Sequence, residues 1–164
     1  MKLTQQKERT EEDSSTESIT TNRNKEVLIL LDSNIYIRNK PDHMLTVLAG
    51  KMGRYNSKLI LPRIVLYEVS KVTRTSQQKV LKDVFRVYNK TFLLADNNEI
   101  KAEAKRLETY FYECHYPDSI ILAIAKVMDA VLVTSDFKLR RTAEIEGVQA
   151  YNVKGFLKNW SVMA

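Results

Sequence analysis

The apolar residues of this chain fall into two kinds of segment, short unbroken runs and longer stretches with helical spacing. Val27-Leu28-Ile29-Leu30-Leu31 is an unbroken run ending at Asp32, as in a strand covered on both faces of a parallel sheet. Leu45, Val47 and Leu48 predict a helix ending near Gly50 or Gly53, and Lys58-Leu59-Ile60-Leu61 predicts a short strand that stops at Pro62. Ile64, Val65, Glu68, Val69 and Val72 recur at helical spacing. Val80, Leu81, Val84, Phe85 and Tyr88 do so again after Ser76, a residue suited to start a helix. Thr91 to Ala95 reads as a strand, and Ile100, Ala104, Leu107 and Phe111 as the apolar stripe of the helix after it. Pro117-Asp118 then opens a nearly all-apolar helix, Ile120 to Met128, which must be buried on most sides. Val131-Leu132-Val133 is a further buried strand, a charged helix from Phe137 to Glu146 stops at Gly147, and Val148 to Val153 is the last strand. Strands alternating with helices in this way predict an α/β fold, an α/β/α sandwich around a central, mostly parallel five-stranded sheet.

The boundaries follow from composition. Within residues 1–26 only Met1, Leu3 and Ile19 are large and apolar, so a disordered polar tail is expected there. Residues 27–157 are expected to form a single domain and 158–164 a C-terminal extension. The chain carries a net charge of +6, and residues 1–26 hold five bases against six acids, so the folded part is the basic part. A basic domain suits a polyanionic partner such as nucleic acid, and an ordinary lysine-rich solvated surface accounts for the charge equally well. No apolar run approaches the ~18 residues of a membrane span and the N-terminus lacks the apolar centre of a signal peptide, so a cytoplasmic protein with no membrane partner is expected. One cysteine and two histidines cannot supply a four-ligand zinc site. Cys114 therefore reads as a small buried hydrophobe.

In open parallel sheets the ligand site lies beyond the carboxyl ends of the strands, where the strand order reverses. Two of the most apolar strands end in an acid there, Leu31-Asp32 and Val133-Thr134-Ser135-Asp136. A strand-end Asp that caps the following helix explains either one alone as well as a catalytic role does. Glu68, with Ile64, Val65 and Val72 at offsets −4, −3 and +4, is placed by spacing on the apolar face of its helix, where a carboxylate needs a partner. Asp118 starts a buried stripe through Leu122 and Ala125, and a helix-start role fits it too. Acids gathered at one rim repel one another unless cations are present. Carboxylate oxygens suit hard divalent ions such as Mg²⁺ or Mn²⁺, and such ions can activate water against a phosphodiester. A metal-dependent nuclease accounts for both the acids and the basic domain.

At these residues the chain resembles the PIN-domain family of metal-dependent nucleases. The matching segments are Leu31-Asp32-Ser33-Asn34-Ile35-Tyr36-Ile37, the Pro62 to Glu68 stretch, Asp118 with Ala123, and Val133-Thr134-Ser135-Asp136, in order over roughly residues 27–157. The resemblance implies a single PIN-like domain with catalytic and metal-binding Asp32, Glu68, Asp118 and Asp136, supported by the polar Asn34 and Thr134. It implies RNA hydrolysis by metal-activated water, leaving a 5′-phosphate and a 3′-hydroxyl. Short members of the family are most often ribonuclease toxins neutralised by a small antitoxin, and the toxin branch, of the virulence-associated protein C type, is the one favoured here. The ribosomal-RNA-processing branch, with a ribosomal precursor as partner, is the second. Many relatives carry a further acid after the last motif, where this chain has Phe137-Lys138-Leu139, which puts a second metal in doubt.

Lys51, Arg54 and Lys58, Lys71 and Arg74, and Lys138, Arg140 and Arg141 are candidates to hold the RNA backbone, most of them explicable as ordinary solvated surface. Tyr110 and Tyr112 should point away from the stripe that holds Phe111, and the family resemblance implies a homodimer. Glu103 and Glu108 read as a solvated helix face. Rival enzymes fit less well. A haloacid-dehalogenase-like phosphatase needs a second acid where this chain has Asn34, a dinucleotide site needs a glycine-rich turn, and neither His43 nor His115 adjoins a nucleophile motif. A PIN-like module that binds RNA or protein without cutting is the non-enzymatic alternative.

Overall fold

The computed structural model describes residues 25–37 and 41–163, with side chains from 44 to 159 within the second range. Of the polar tail expected over 1–26, all but Lys25 and Glu26 lies outside the described residues. The first strand, β1 (Val27–Leu31), is fully buried at Ile29, Leu30 and Leu31, as a run without polar alternation requires. Asp32 alone separates it from a short helix, α1 (Ser33–Ile37), and α2 (Pro41–Met52) leads to β2 (Ser57–Pro62). Two further helices, α3 (Arg63–Thr73) and α4 (Gln77–Val87), connect β2 to β3 (Thr91–Leu94). The Ser76 hydroxyl accepts from the Lys79 amide at 3.2 Å and starts α4 as the sequence predicts. After β3 come α5 (Asn98–Tyr110), the apolar α6 (Asp118–Val127), β4 (Val131–Val133), α7 (Phe137–Ile145), β5 (Ala150–Tyr151) and α8 (Val153–Met163).

All four strand pairings are parallel, in the order β3-β2-β1-β4-β5. The chain thus winds outward from β1 to β2 and β3, then crosses back to lay β4 on the other side of β1, with Ile29 to Leu31 in register with Val131 to Val133. Helices α1 to α4 pack on one another as one layer and α5 to α7 as a second, as right-handed crossovers to opposite sides of β1 demand. The order reverses between β1 and β4, so the crevice at their carboxyl ends is the place where this topology opens a site.

Four expectations shift. The buried stripe of α3 is Val65, Leu66 and Val69, not the set that includes Val72, which is exposed. Leu66 competes for the same side of the helix and turns the face, leaving Glu68 half-buried at its border. In α4 the ring of Phe85 lies outside the stripe and is exposed, and Phe111 is the residue after the end of α5. The expected last strand, 148–153, is only Ala150–Tyr151, because Asn152 starts a helix: its side chain accepts from the Gly155 amide at 2.7 Å and its carbonyl from the Phe156 amide at 2.8 Å. That helix, α8, runs across residue 157, where the domain was expected to end, and it packs against α2 and β5. Phe156 is fully buried.

If α8 is part of the cooperative fold, Phe156→Ala leaves a large cavity and lowers stability by about 3–5 kcal/mol. Urea unfolding followed by circular dichroism measures this, and a loss under about 1 kcal/mol would make α8 an appendage.

Candidate active site

Asp32 extends β1 by one residue. Its amide donates to the Val133 carbonyl at 3.0 Å, which brings the end of β1 against the end of β4. The carboxylate is 5% exposed. Its Oδ1 accepts from the Ser33 amide at 2.7 Å and its Oδ2 from the Thr134 hydroxyl at 2.9 Å. Burial pushes its pKa up and the charge of Asp136 adds to that, while the bonds from Thr134 and Ser33 oppose the rise. Thr134, fully buried at the end of β4, also accepts from the Asp136 amide at 3.1 Å. A single hydroxyl thus links one strand-end acid to the backbone of the other. Asp136 caps α7, its Oδ1 accepting from the Lys138 amide at 2.9 Å and the Leu139 amide at 3.2 Å. The capping and the catalytic readings are compatible, since Asp136 caps through Oδ1 alone and each oxygen of Asp32 keeps a further lone pair.

Asp118 is the first residue of α6 and makes no capping bond. The helix start is held by others: the Ser119 amide donates to the His115 carbonyl at 3.0 Å, and the buried Ser119 hydroxyl donates to Glu108 Oε1 at 2.6 Å. Burial lifts the Asp118 carboxyl to about 6, helped by the negative charges of Asp32, Asp136 and Glu68 and opposed only by His115. Three of the acids singled out in the sequence, Asp32, Glu68 and Asp136, therefore act on the fourth, Asp118, and Asp136 acts on Asp32 as well. No lysine or arginine is among the groups acting on Asp118 or Asp32. As the side chains stand, no three His, Cys, Asp or Glu among the described residues form a group that could hold one metal ion. The donor chemistry fits a hard divalent cation all the same, because the four acids offer carboxylate oxygens and no lysine or arginine balances Asp32 or Asp118. Asn34 is exposed in α1.

The contrast with acids elsewhere is direct. Glu103 and Arg106 of α5 meet Lys126 of α6 and Glu146 just beyond α7, with Arg106 Nη2 2.7 Å from both glutamates and Lys126 Nζ 2.5 Å from Glu146 Oε2. Bonds from Arg106, and to a lesser degree Lys126, hold Glu103 below the usual carboxylate range. Burial opposes the same effect on Glu146, but the two bases still hold it low. Glu103 is thus no solvated-face residue, and Glu108 is engaged by Ser119. The sequence reading missed the contacts made by Lys126 and Ser119 because both residues lie on another helix, whereas Arg106 is one turn along α5 from Glu103; Glu108 itself is exposed, as a solvated face requires. Cys114 is buried as expected, and burial pushes its thiol up to about 11.

The candidate phosphate contacts divide. Lys138 and Arg141 are exposed on α7, with Lys138 Nζ 3.5 Å from Glu113, whereas Arg140 is half-buried and donates to the Thr134 carbonyl at 2.8 Å. Lys71 lies over the Tyr67 ring and Arg74 caps the far end of α3, about 16 Å along the helix from the strand ends. Arg63 was passed over: it follows Pro62 directly at the end of β2, is exposed, and sits at the strand-end rim. Its place immediately after a strand-ending proline was the available signal. Tyr110 and Tyr112 are 73% and 89% exposed, pointing away from the core as the stripe predicts.

The profile of the PIN domain family matches residues 29–145. Among solved structures, the chain is similar to VapBC-1 from nontypeable Haemophilus influenzae, at 18% identity and TM-score 0.59 over 78% of this chain and 99% of that one. It is similar to VapBC2 from Rickettsia felis, solved bound to a DNA fragment from its promoter, at 20% identity and TM-score 0.56 over 77% and 98%. FitAcB from Neisseria gonorrhoeae follows at 18% identity and TM-score 0.55 over 77% and 98%. No curated protein matches by sequence.

The charge crowding has a measurable consequence. Asp118 binds its proton more tightly folded than unfolded, so its contribution to stability is full below about pH 4 and is lost as pH rises through about 6. In EDTA, Asp118→Asn should therefore stabilise the chain at pH 7 by about 1–2 kcal/mol, allowing for solvent screening, and by much less at pH 4. Thermal melts at the two pH values decide, and an equal effect at both would remove the charge-crowding account.

Proposed function

This chain belongs to the PIN-domain family, and on that premise we propose that it is a Mg²⁺- or Mn²⁺-dependent endoribonuclease, the toxin of a toxin–antitoxin pair. The observation that carries the reading is the group Asp32, Glu68, Asp118 and Asp136, whose negative charges act together on Asp118 with no lysine or arginine to balance them. These four side chains would hold the ion or ions. A divalent cation bound there supplies positive charge that polarises water and screens a phosphodiester. Thr134 fixes Asp32 Oδ2 and the Asp136 backbone, so the two strand-end carboxylates are oriented before any substrate arrives. Asp118, held by no capping bond, keeps both oxygens available. Asn34 is the supporting polar group at the start of α1. Arg63 at the rim, with Lys138 and Arg141 on α7, supplies cations for the phosphates flanking the cut, while Lys71 and Arg74 reach only a longer RNA. Water forms a bond to phosphorus as the bond to the 3′-oxygen breaks, leaving a 5′-phosphate and a 3′-hydroxyl.

Support for an antitoxin partner comes from the resemblance to the short, toxin-type members of the family, with which the fold likeness to VapBC-1 and FitAcB accords. A homodimer through Tyr110 and Tyr112 belongs to the same proposal, since a pair of highly exposed aromatics is suited to a protein contact. Among the described residues no helix is long and apolar enough to cross a membrane, which accords with action on cytoplasmic RNA.

Wild type should cleave mixed RNA with Mg²⁺ or Mn²⁺ and stop in EDTA. Asp118→Asn should slow cleavage by at least about 100-fold, the scale on which loss of one preorganised charge acts, while its folding is retained. Equal cleavage by both proteins, or none by wild type with either metal, favours the module that binds without cutting. Sedimentation of the protein alone tests the dimer: Tyr110→Lys with Tyr112→Glu should convert it to a monomer, and a wild-type monomer at tens of micromolar excludes it.

A further inference from the structure

Two exposed rings adjoin site acids in the chain, on two of the four segments that supply the carboxylates. Phe137 directly follows Asp136 and opens α7, with 67% of its surface in solvent; Tyr116 lies two residues before Asp118 and is 64% exposed. The two segments meet, because Lys138 on α7 pairs with Glu113 at 3.5 Å and Asp136 and Asp118 act on each other electrostatically. Neither ring belongs to the core, so neither position is explained by packing. The Arg140 guanidinium lies 5.9 Å from the centre of the Phe137 ring, and Lys138 and Arg141 are exposed on the same helix. Exposed rings interleaved with cations are what an unpaired polynucleotide needs, the rings for its bases and the cations for its backbone. A protein partner that buried the rings would also have to desolvate these charges.

We propose that Phe137 and Tyr116 stack on unpaired bases of a single-stranded RNA on either side of the phosphodiester presented to the acids. This rests on the nuclease reading and adds the two residues that would hold the bases flanking the cut. Stacking on a ring face is tolerant of sequence, so the rings select single strands over duplex rather than one base over another.

Fluorescence anisotropy in EDTA tests it with two labelled 12-residue probes, oligouridylate and a ribose-phosphate strand without bases. Phe137→Ala and Tyr116→Ala should each weaken oligouridylate binding roughly tenfold. Both should leave binding of the baseless strand and the slope of log K against log salt unchanged, and Phe137→Trp should restore affinity. Arg141→Ala should instead weaken both probes and flatten the slope by roughly 0.7. Affinity for oligouridylate within twofold of wild type, or an equal loss on both probes, overturns the proposal. So does a change of sedimentation coefficient with no change in RNA affinity, which would make the rings a self-association surface. Cleavage is scored separately on wild type with Mn²⁺. Cleavage without any dependence of binding on the rings defeats the stacking alone, ring-dependent binding without cleavage defeats the nuclease reading alone, and a wild type that neither binds nor cleaves defeats both.

Discussion

Negative charge set at the ends of two adjacent buried strands is the constraint around which this protein is arranged. Asp32 and Asp136 come from strand ends that the β1–β4 pairing holds side by side, and Asp32 is almost wholly removed from water. Burial of an isolated carboxylate is costly, and the fold offsets only part of that cost. The Ser33 amide and the Thr134 hydroxyl satisfy Asp32, and the Lys138 and Leu139 amides of α7 satisfy Asp136. Asp118 and Asp136 both sit at helix N-termini, where the backbone dipoles favour an anion. What is left uncompensated is visible in the raised pKa of Asp118, set by burial first and then by the neighbouring acids, and a bound cation would offset that charge.

The charge quartet of Glu103, Arg106, Lys126 and Glu146 serves the opposite purpose. It joins α5, α6 and the end of α7 by matched pairs, and two of these helices, α6 and α7, begin at Asp118 and directly after Asp136. With two acids and two bases, it adds no net charge to the neighbourhood. The same helices are thus locked together at one level by satisfied pairs and left under repulsion at another. Such a division suits a site that must stay rigid while its carboxylates remain free to take up an ion.

On the surface the distribution of rings follows the chemistry too. Apolar area left in water at Phe137 and Tyr116 forgoes the gain of burial, and both residues neighbour a site acid in the chain. Tyr110, by contrast, lies against the Arg106 guanidinium at 5.6 Å, on the side of α5 that carries the charge quartet. The two groups of aromatics therefore face different surroundings.

Local pattern determined most of the architecture. The short apolar runs bounded by polar residues read as strands buried on both faces, Ser76 as the start of α4, and the longer apolar run of α6 as a central helix. The acids at the ends of β1 and β4 were legible for the same reason, since a parallel strand covered on both faces carries its chemistry at its end. Where two stripes were possible on one helix, pattern was not enough: Leu66 rather than Val72 took the core side of α3, which moved Glu68 from the apolar face to its border. The end of the domain was likewise a tertiary matter, because Val153 reads equally well as a strand or a helix residue until the Asn152 side chain accepts the Gly155 amide and Phe156 finds a buried place. The pairing of Glu103 and Glu146 with bases on other helices, the bond from Ser119 to Glu108, and the hydroxyl of Thr134 reaching Asp32 across 102 residues of sequence are contacts between distant segments. A single chain's periodicity encodes which face of an element is apolar, but not which polar groups of other elements will meet there, and it is those meetings that decide which carboxylates are balanced by a base and which are not.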